Sequence, residues 1–180
     1  LIKAHPEFQM DHRLLLDKID PKKGTVIVEG KEYPLKDTFF PTIDWENPYE
    51  LSTDEKDVME RLTMAFVNCE KLQRHVRFLF AKGSLYKVYN GNLLYHGCMP
   101  MNEDGSFTKV NVYGTEYAGK ELYDVLESYA RKGYYSIDPQ EKKKGQDILW
   151  FIWENQNSPV FGKAKMTTFE RYFIADKKTH

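Results

Sequence analysis

A histidine at the end of a strand is a ready ligand for a divalent transition ion, because a neutral imidazole nitrogen offers a lone pair. Such a residue stands in the stretch Tyr89-Asn90-Gly91-Asn92-Leu93-Leu94-Tyr95-His96-Gly97-Cys98-Met99-Pro100. Asn90-Gly91 is the pair a type I′ turn asks for, since both central positions take φ > 0. Ser84 to Tyr89 and Asn92 to Tyr95 then form the arms of a hairpin, the second an apolar, buried strand ending on His96. Gly97 follows at once, where the backbone can turn sharply or be closely approached. A lone His beside a Gly also suits a hydrogen-bonded structural residue, and on residue chemistry alone that reading leads.

The other candidates for chemistry have simpler explanations. His5, Glu7, Asp11 and His12 invite a metal reading, but His5 and His12 are two helical turns apart, too far to share one ion unaided. Solvated polar residues explain them better. Arg74, Arg77 and Lys82, beside His75, close a long helix. They complement the negative end of its dipole or, more sharply, form a phosphate clamp, since the guanidinium fork matches phosphate oxygens. The dipole reading leads. Cys69 reads as a small core residue rather than a nucleophile.

A resemblance changes the weight of His96. Leu93-Leu94-Tyr95-His96-Gly97-Cys98 resembles the His-Gly motif of the calcineurin-like metallophosphatases, and Asn90 to Phe107 resembles the class III fructose-1,6-bisphosphatases of bacteria. The likeness extends to His5-Pro6-Glu7-Phe8, Arg13-Leu14-Leu15-Leu16-Asp17, Phe40-Pro41-Thr42-Ile43-Asp44, Arg74-His75-Val76-Arg77-Phe78 and Met166-Thr167-Thr168-Phe169-Glu170-Arg171-Tyr172-Phe173. It implies an α+β chain forming part of a calcineurin-like α/β/β/α sandwich, with β-hairpins and one long helix over about residues 53–82. It implies a single catalytic domain, of which residues 1–180 are an internal part with no independent boundary. Residues 1–50 would form a helix, hairpin and extended connection, and 51–180 the rest.

The implied activity is hydrolysis of fructose 1,6-bisphosphate to fructose 6-phosphate in gluconeogenesis, at a dinuclear Mn²⁺ site in a cytoplasmic enzyme. The same resemblance implies regulation by AMP and phosphoenolpyruvate, and a homo-oligomer is open. His96 would be one metal ligand, with no catalytic residue assigned. Arg74, Arg77, Lys163, Lys165 and Arg171 are the candidates for substrate phosphate contacts. The family's other ligand motifs are Asp-x-His, Gly-Asp-x-x-Asp, Gly-Asn-His and a final Gly-His. None occurs here: no Asp has His two residues on, there is no Gly-Asp, and Gly91-Asn92 is followed by Leu93. One imidazole cannot hold a dinuclear centre, so this chain alone is expected to be inactive and to belong to something longer. Two other classes stay open: a non-catalytic binding or regulatory module, and a phosphatase of the same fold acting on another phosphoester.

Composition sets the frame. The 180 residues suffice for a domain with a real core, and 12 Tyr and 11 Phe argue for a globular fold. Lys+Arg at 26 against Asp+Glu at 27 leaves a net charge of −1. No global field therefore draws the chain to nucleic acid or to an anionic membrane. The longest apolar run, Ile148 to Trp153, is far too short to span a bilayer. Cys69 and Cys98 form no disulfide framework and no paired-cysteine zinc pattern, which suits reduced thiols.

The elements that must carry His96 can be read in order. A helix is expected from about Pro6 to Ile19, then a strand at Thr25 to Val28 and an edge strand at Glu32 to Leu35 marked by Pro34. Thr38 to Tyr49 reads as an extended connection. Ser52 and Glu55 make a capping box. From there Val58, Leu62, Ala65, Cys69, Leu72, Val76 and Leu79 alternate steps of four and three up to a stop at Gly83. That seam suits a dimeric coiled coil or, with Met59, Phe66, Phe78 and Phe80 widening it, a helix packed inside a globular body, which is favoured.

After the central hairpin, a turn at Met101 to Ser106 leads to a second hairpin about Gly114. A helix over Gly119–Lys132 follows, with Leu122, Val125, Leu126 and Tyr129 inward and a stop at Gly133. Asp138-Pro139 opens a helix to about Asn155, its start weakened by Gly145 and its Trp150 and Trp153 in the core. Asn157 to Lys165 is a loop, and Thr167 with Glu170 makes a capping box for a last short helix.

Overall fold

The α+β class holds in the structure, a computed structural model that describes residues 1–176 and Lys178. Four 3₁₀ turns (Ile2–Ala4, Pro6–Phe8, Asp11–Arg13 and Leu16–Lys18) lead into β1 (Ile19–Asp20), β2 (Thr25–Val28) and β3 (Lys31–Pro34). Helices α1 (Thr53–Val67) and α2 (Glu70–Lys82) precede hairpins β4 (Tyr86–Tyr89)–β5 (Asn92–Tyr95) and β6 (Val110–Val112)–β7 (Thr115–Tyr117). Then come α3 (Gly119–Tyr135), α4 (Pro139–Glu154) and α5 (Thr168–Phe173). Two compact units emerge: Leu1–Met10 with Arg77–Met166, and Asp11–Val76 with the chain from Thr167.

The first unit is built on α3 against α4. Leu122, Leu126 and Ala130 of α3 meet Ile148, Phe151 and Ile152 of α4, with Val110 and Val112 of β6 and Phe8 and Met10 of the N-terminal segment closing the core. Full burial of each large side chain contributes about 1.5–3 kcal/mol. The helices cross at two glycines. A Cβ on Gly145 would stand 2.1 Å from the Gly133 backbone nitrogen, so only hydrogen fits there. Neither glycine acts as expected. Gly133 does not stop α3, which runs on to Tyr135, and Gly145 makes the closest approach of α4 rather than weakening its start. The expected cap holds: Asp138 accepts from the Glu141 amide (2.8 Å), with Pro139 in the first turn. Trp150 packs on the core, whereas Trp153, three residues on, is 70 % exposed.

The second unit is a three-stranded antiparallel sheet of order β1-β2-β3, with Val26 opposite Tyr33 and Ile19 opposite Val26. Its core is Leu15, Ile19, Val26, Val28 and Ile174. Pro34 does lie on an edge strand, where the missing N–H costs no ladder bond. The helix expected over Pro6 to Ile19 is absent. His5 and Gln9 sit at non-helical backbone angles, Gln9 at φ 54°, so the chain advances in single 3₁₀ turns.

The helix expected over 53–82 is two helices. Ser52 does cap α1 with a reciprocal box to Glu55. The ladder ends at Val67, however, where Asn68 takes φ −89°, ψ 0°, the bridge region a short polar residue tolerates. No residue of α1 or α2 is buried. Val58, Leu62 and Phe66 are exposed, as is Cys69, so the seam does not lie inside a globular body here. The box expected at Thr167 is also missing: α5 starts there without a side-chain cap, and Glu170 is buried.

Candidate functional site

The turn chemistry of Asn90-Gly91 delivers the expected hairpin. Asn90 has φ 50° and Gly91 φ 75°, and Tyr86 to Tyr89 pair residue by residue with Tyr95 to Asn92. His96 follows directly and is exposed, with no hydrogen-bond or ionic partner among the described residues. One expectation fails. The strand before it is not buried: Leu93 and Leu94 are about half exposed and Val88 is 63 % exposed. A two-stranded ribbon has two faces, and here only Tyr86 of β4 and Tyr95 of β5 meet a ring, that of Tyr123 on α3, edge to face at 5.6 and 6.3 Å.

The ribbon is held instead by polar contacts from one side of α3. At its entrance, Glu127 accepts from the Leu85 amide at 2.9 Å. The Arg131 guanidinium donates to the Phe80 and Gly83 carbonyls at 2.6 and 2.7 Å and to Glu127. Those carbonyls belong to the end of α2, which has no internal partner for them, so Arg131 satisfies the helix terminus while locating the hairpin. One turn earlier on α3, Asp124 accepts from the Tyr86 hydroxyl at 2.8 Å and from Lys120. The hydrogen bond from Lys120, then that from Tyr86, holds the Asp124 carboxyl below its ordinary pKa.

The exit is held as well. The Tyr123 hydroxyl donates to the Cys98 carbonyl at 2.7 Å, and the Cys98 amide donates to the Pro159 carbonyl at 3.0 Å. Burial, then the nearby Cys98 thiol and Tyr95 hydroxyl, push the Tyr123 phenol up to about 12, so it remains a donor at neutral pH. Gly97 does not take a positive φ. Its requirement is closeness: a Cβ there would lie 2.4 Å from the Pro159 carbonyl oxygen and 2.9 Å from that of Val160. In the His-Gly pair, the glycine lets a neighbouring loop close on the backbone beside the imidazole.

That loop is itself fixed from within. Asn155, 1 % exposed, donates to the Phe8 carbonyl at 2.7 Å and accepts from the Asn157 amide at 2.8 Å. Ser158, fully buried, donates to the Ile152 carbonyl and accepts from the Val160 amide at 3.1 Å. Buried polar groups satisfied this completely give a loop one conformation. Beside the ribbon lies a small apolar cavity lined by Tyr86, Val88, Leu93, Tyr95, Tyr123 and Lys120, with Met99 at its side.

The expected phosphate contacts are less organised. Arg77 and Lys163 are exposed and Lys165 is half-buried in the first unit, while Arg74 and Arg171 are exposed in the second. None of the five lines the cavity; its cation is Lys120. Among the described residues no three His, Cys, Asp or Glu side chains come together to hold a metal ion.

His5 and Glu7 are not the solvated pair expected. The His5 ring stacks on Phe8 at 4.7 Å and hydrogen-bonds Glu7 through Nδ1 (2.9 Å) and buried Asp147 through Nε2 (3.1 Å). Lys143 closes on the other Asp147 oxygen. This network joins the N-terminal segment to α4 and uses both ring nitrogens, leaving none for a metal. Nothing in the spacing of residues 5, 7, 143 and 147 announces it, because the partners are 142 positions apart.

The family described as Firmicute fructose-1,6-bisphosphatase matches residues 1–180. Among curated proteins, the chain is 53 % identical to the fructose-1,6-bisphosphatase class 3 of Clostridium novyi (strain NT). It is 55 % identical to that of Clostridium botulinum (strain Langeland / NCTC 10281 / Type F) and 53 % to one of Clostridium beijerinckii (strain ATCC 51743 / NCIMB 8052). Each match covers all of this chain but 27 % of the relative, so the chain spans about a quarter of their length. No solved structure matches it.

Proposed function

We propose, on the premise that this chain belongs to the Firmicute fructose-1,6-bisphosphatase family, that it is part of a phosphomonoesterase that hydrolyses fructose 1,6-bisphosphate to fructose 6-phosphate and phosphate in gluconeogenesis. The family match across the whole chain, on relatives bearing that name, carries the reading. In it, His96 is one donor to a dinuclear Mn²⁺ centre whose other ligands lie on polypeptide beyond these residues. Such a centre supplies the charge neutralisation and the activated water that phosphoryl transfer requires. This chain contributes an imidazole carried at the open end of a ribbon, opposite its Asn90-Gly91 turn, where the chain enters and leaves through fixed bonds, and among the described residues no hydrogen bond or ion pair occupies its ring nitrogens. Cationic side chains for the substrate come from Arg74, Arg77, Lys163, Lys165 and Arg171, and the proposed metabolite regulators are AMP and phosphoenolpyruvate.

The two free cysteines accord with a cytoplasmic enzyme. No helix among the described residues is long and apolar enough to cross a membrane. One observation favours a second reading, in which this region mediates assembly: the apolar residues of α1, including Val58, Leu62 and Phe66, are open. Phosphate release separates the two. The complete protein, loaded with Mn²⁺, is expected to cleave fructose 1,6-bisphosphate well ahead of phosphopeptides or nucleotides. No release from the bisphosphate would remove the enzymatic reading, and preference for another phosphoester would keep the chemistry and change the substrate.

A further inference from the structure

The bonds at the hairpin exit reach further than fold stability. Among the described residues no hydrogen bond or ion pair sets the position of the exposed His96 ring. What sets it is the backbone that leaves it. Two residues after His96, the Cys98 carbonyl and amide are each taken by a fixed group, Tyr123 and Pro159. Between them and the ring, Gly97 lies against the Pro159 and Val160 carbonyls with no room for a methyl group. Tyr123 is 2 % exposed, and its ring is wedged between Tyr86 and Tyr95 on the two strands.

We propose that Tyr123 is a positioning residue for the metal donor His96, acting through its hydroxyl on the Cys98 carbonyl, with Gly97 admitting the loop that completes the clamp. The proposal rests on the reading of His96 as a metal donor. Its physical basis is that the backbone sets the place and direction from which a ligand side chain reaches, and a metal site needs that place held by its supporting groups. Loss of a group bonded directly to a ligand typically costs 10–100-fold in metal affinity, so a restraint two residues removed is expected at the lower end of that range.

The test is Mn²⁺ affinity in the complete protein, read from free Mn²⁺ by electron paramagnetic resonance, for wild type, Tyr123→Phe, Gly97→Ala and His96→Ala. Tyr123→Phe keeps the ring and its packing and removes one hydrogen bond. It is expected to weaken Mn²⁺ binding about tenfold, with turnover recovering at saturating Mn²⁺. Gly97→Ala, which drives a methyl group onto two backbone carbonyls, is expected to weaken binding more and to resist rescue. If His96→Ala loses Mn²⁺ while folded Tyr123→Phe and Gly97→Ala bind it as wild type does, the positioning role is wrong and the donor assignment stands. Unaltered binding in His96→Ala overturns both.

Discussion

The two hairpins of the first unit are built to opposite plans. In β6–β7, Val110 and Val112 point into the core at 5 % and 3 % exposure, and even at the turn the half-buried Tyr113 ring packs against Phe8 and Tyr129, leaving Gly114 exposed. In β4–β5, every residue of β5 is exposed and the apolar side chains Val88, Leu93 and Leu94 are open. The first hairpin is held by burial of its leading strand β6, the second by hydrogen bonds where the chain enters and leaves it. Burial fixes a strand only as well as its side chains interlock. A bond to a carbonyl two residues from a histidine restrains the backbone from which the imidazole projects. The ribbon that carries the candidate donor therefore leaves its faces open and concentrates its restraints where the donor is attached.

The largest effect should come from the frame common to both hairpins. Gly145→Ala puts a methyl group against the backbone of Gly133, and overpacking between two backbones costs about 3 kcal/mol or more. Hydrogen exchange in the complete protein should show both hairpins opening together; protection unchanged across residues 84–117 would show that the helix crossing supports neither. The next effect separates the hairpins. Val112→Ala should cost about 2 kcal/mol of local stability, and Val88→Ala, in a similar strand on an open face, within about 0.5 kcal/mol. Equal losses would mean that the open ribbon is covered in the complete protein.

A third change should act on β4–β5 alone. Glu127→Ala removes the acceptor for the Leu85 amide and a partner of Arg131, worth about 1.5 kcal/mol at the hairpin's entrance, with β6–β7 left intact. Amide exchange at Leu85 is the readout. Protection there as strong as in wild type would show that the ribbon does not depend on its polar anchors.

What could be read from the chain beforehand follows range. Asn90-Gly91, the Ser52 and Glu55 box and Asp138-Pro139 are decided by residues one to three apart, and each stands as its local chemistry requires. The inward face of α3 at Leu122 and Leu126 followed from the helical period. Gly133 and Gly145 were misread because a glycine that ends a helix and one that admits a second helix look alike in one strand of text. The unbroken apolar seam from Val58 to Leu79 hid the interruption at Asn68, and its exposure depends on partners that no spacing reveals. At the site, His96-Gly97 was legible as a pair. Tyr123, Asn155 and Ser158 were not, since each acts on backbone atoms of segments 6 to 147 positions away.

The central claim is that the exposed imidazole at the end of β5 is a metal donor. Metal content after exhaustive dialysis, measured on the complete protein by inductively coupled plasma mass spectrometry, tests it most directly. His96→Ala should retain markedly less manganese than wild type while the metal-free forms of the two proteins unfold at the same temperature. Full manganese occupancy in that variant would contradict the account and leave His96 as an ornament on an open ribbon.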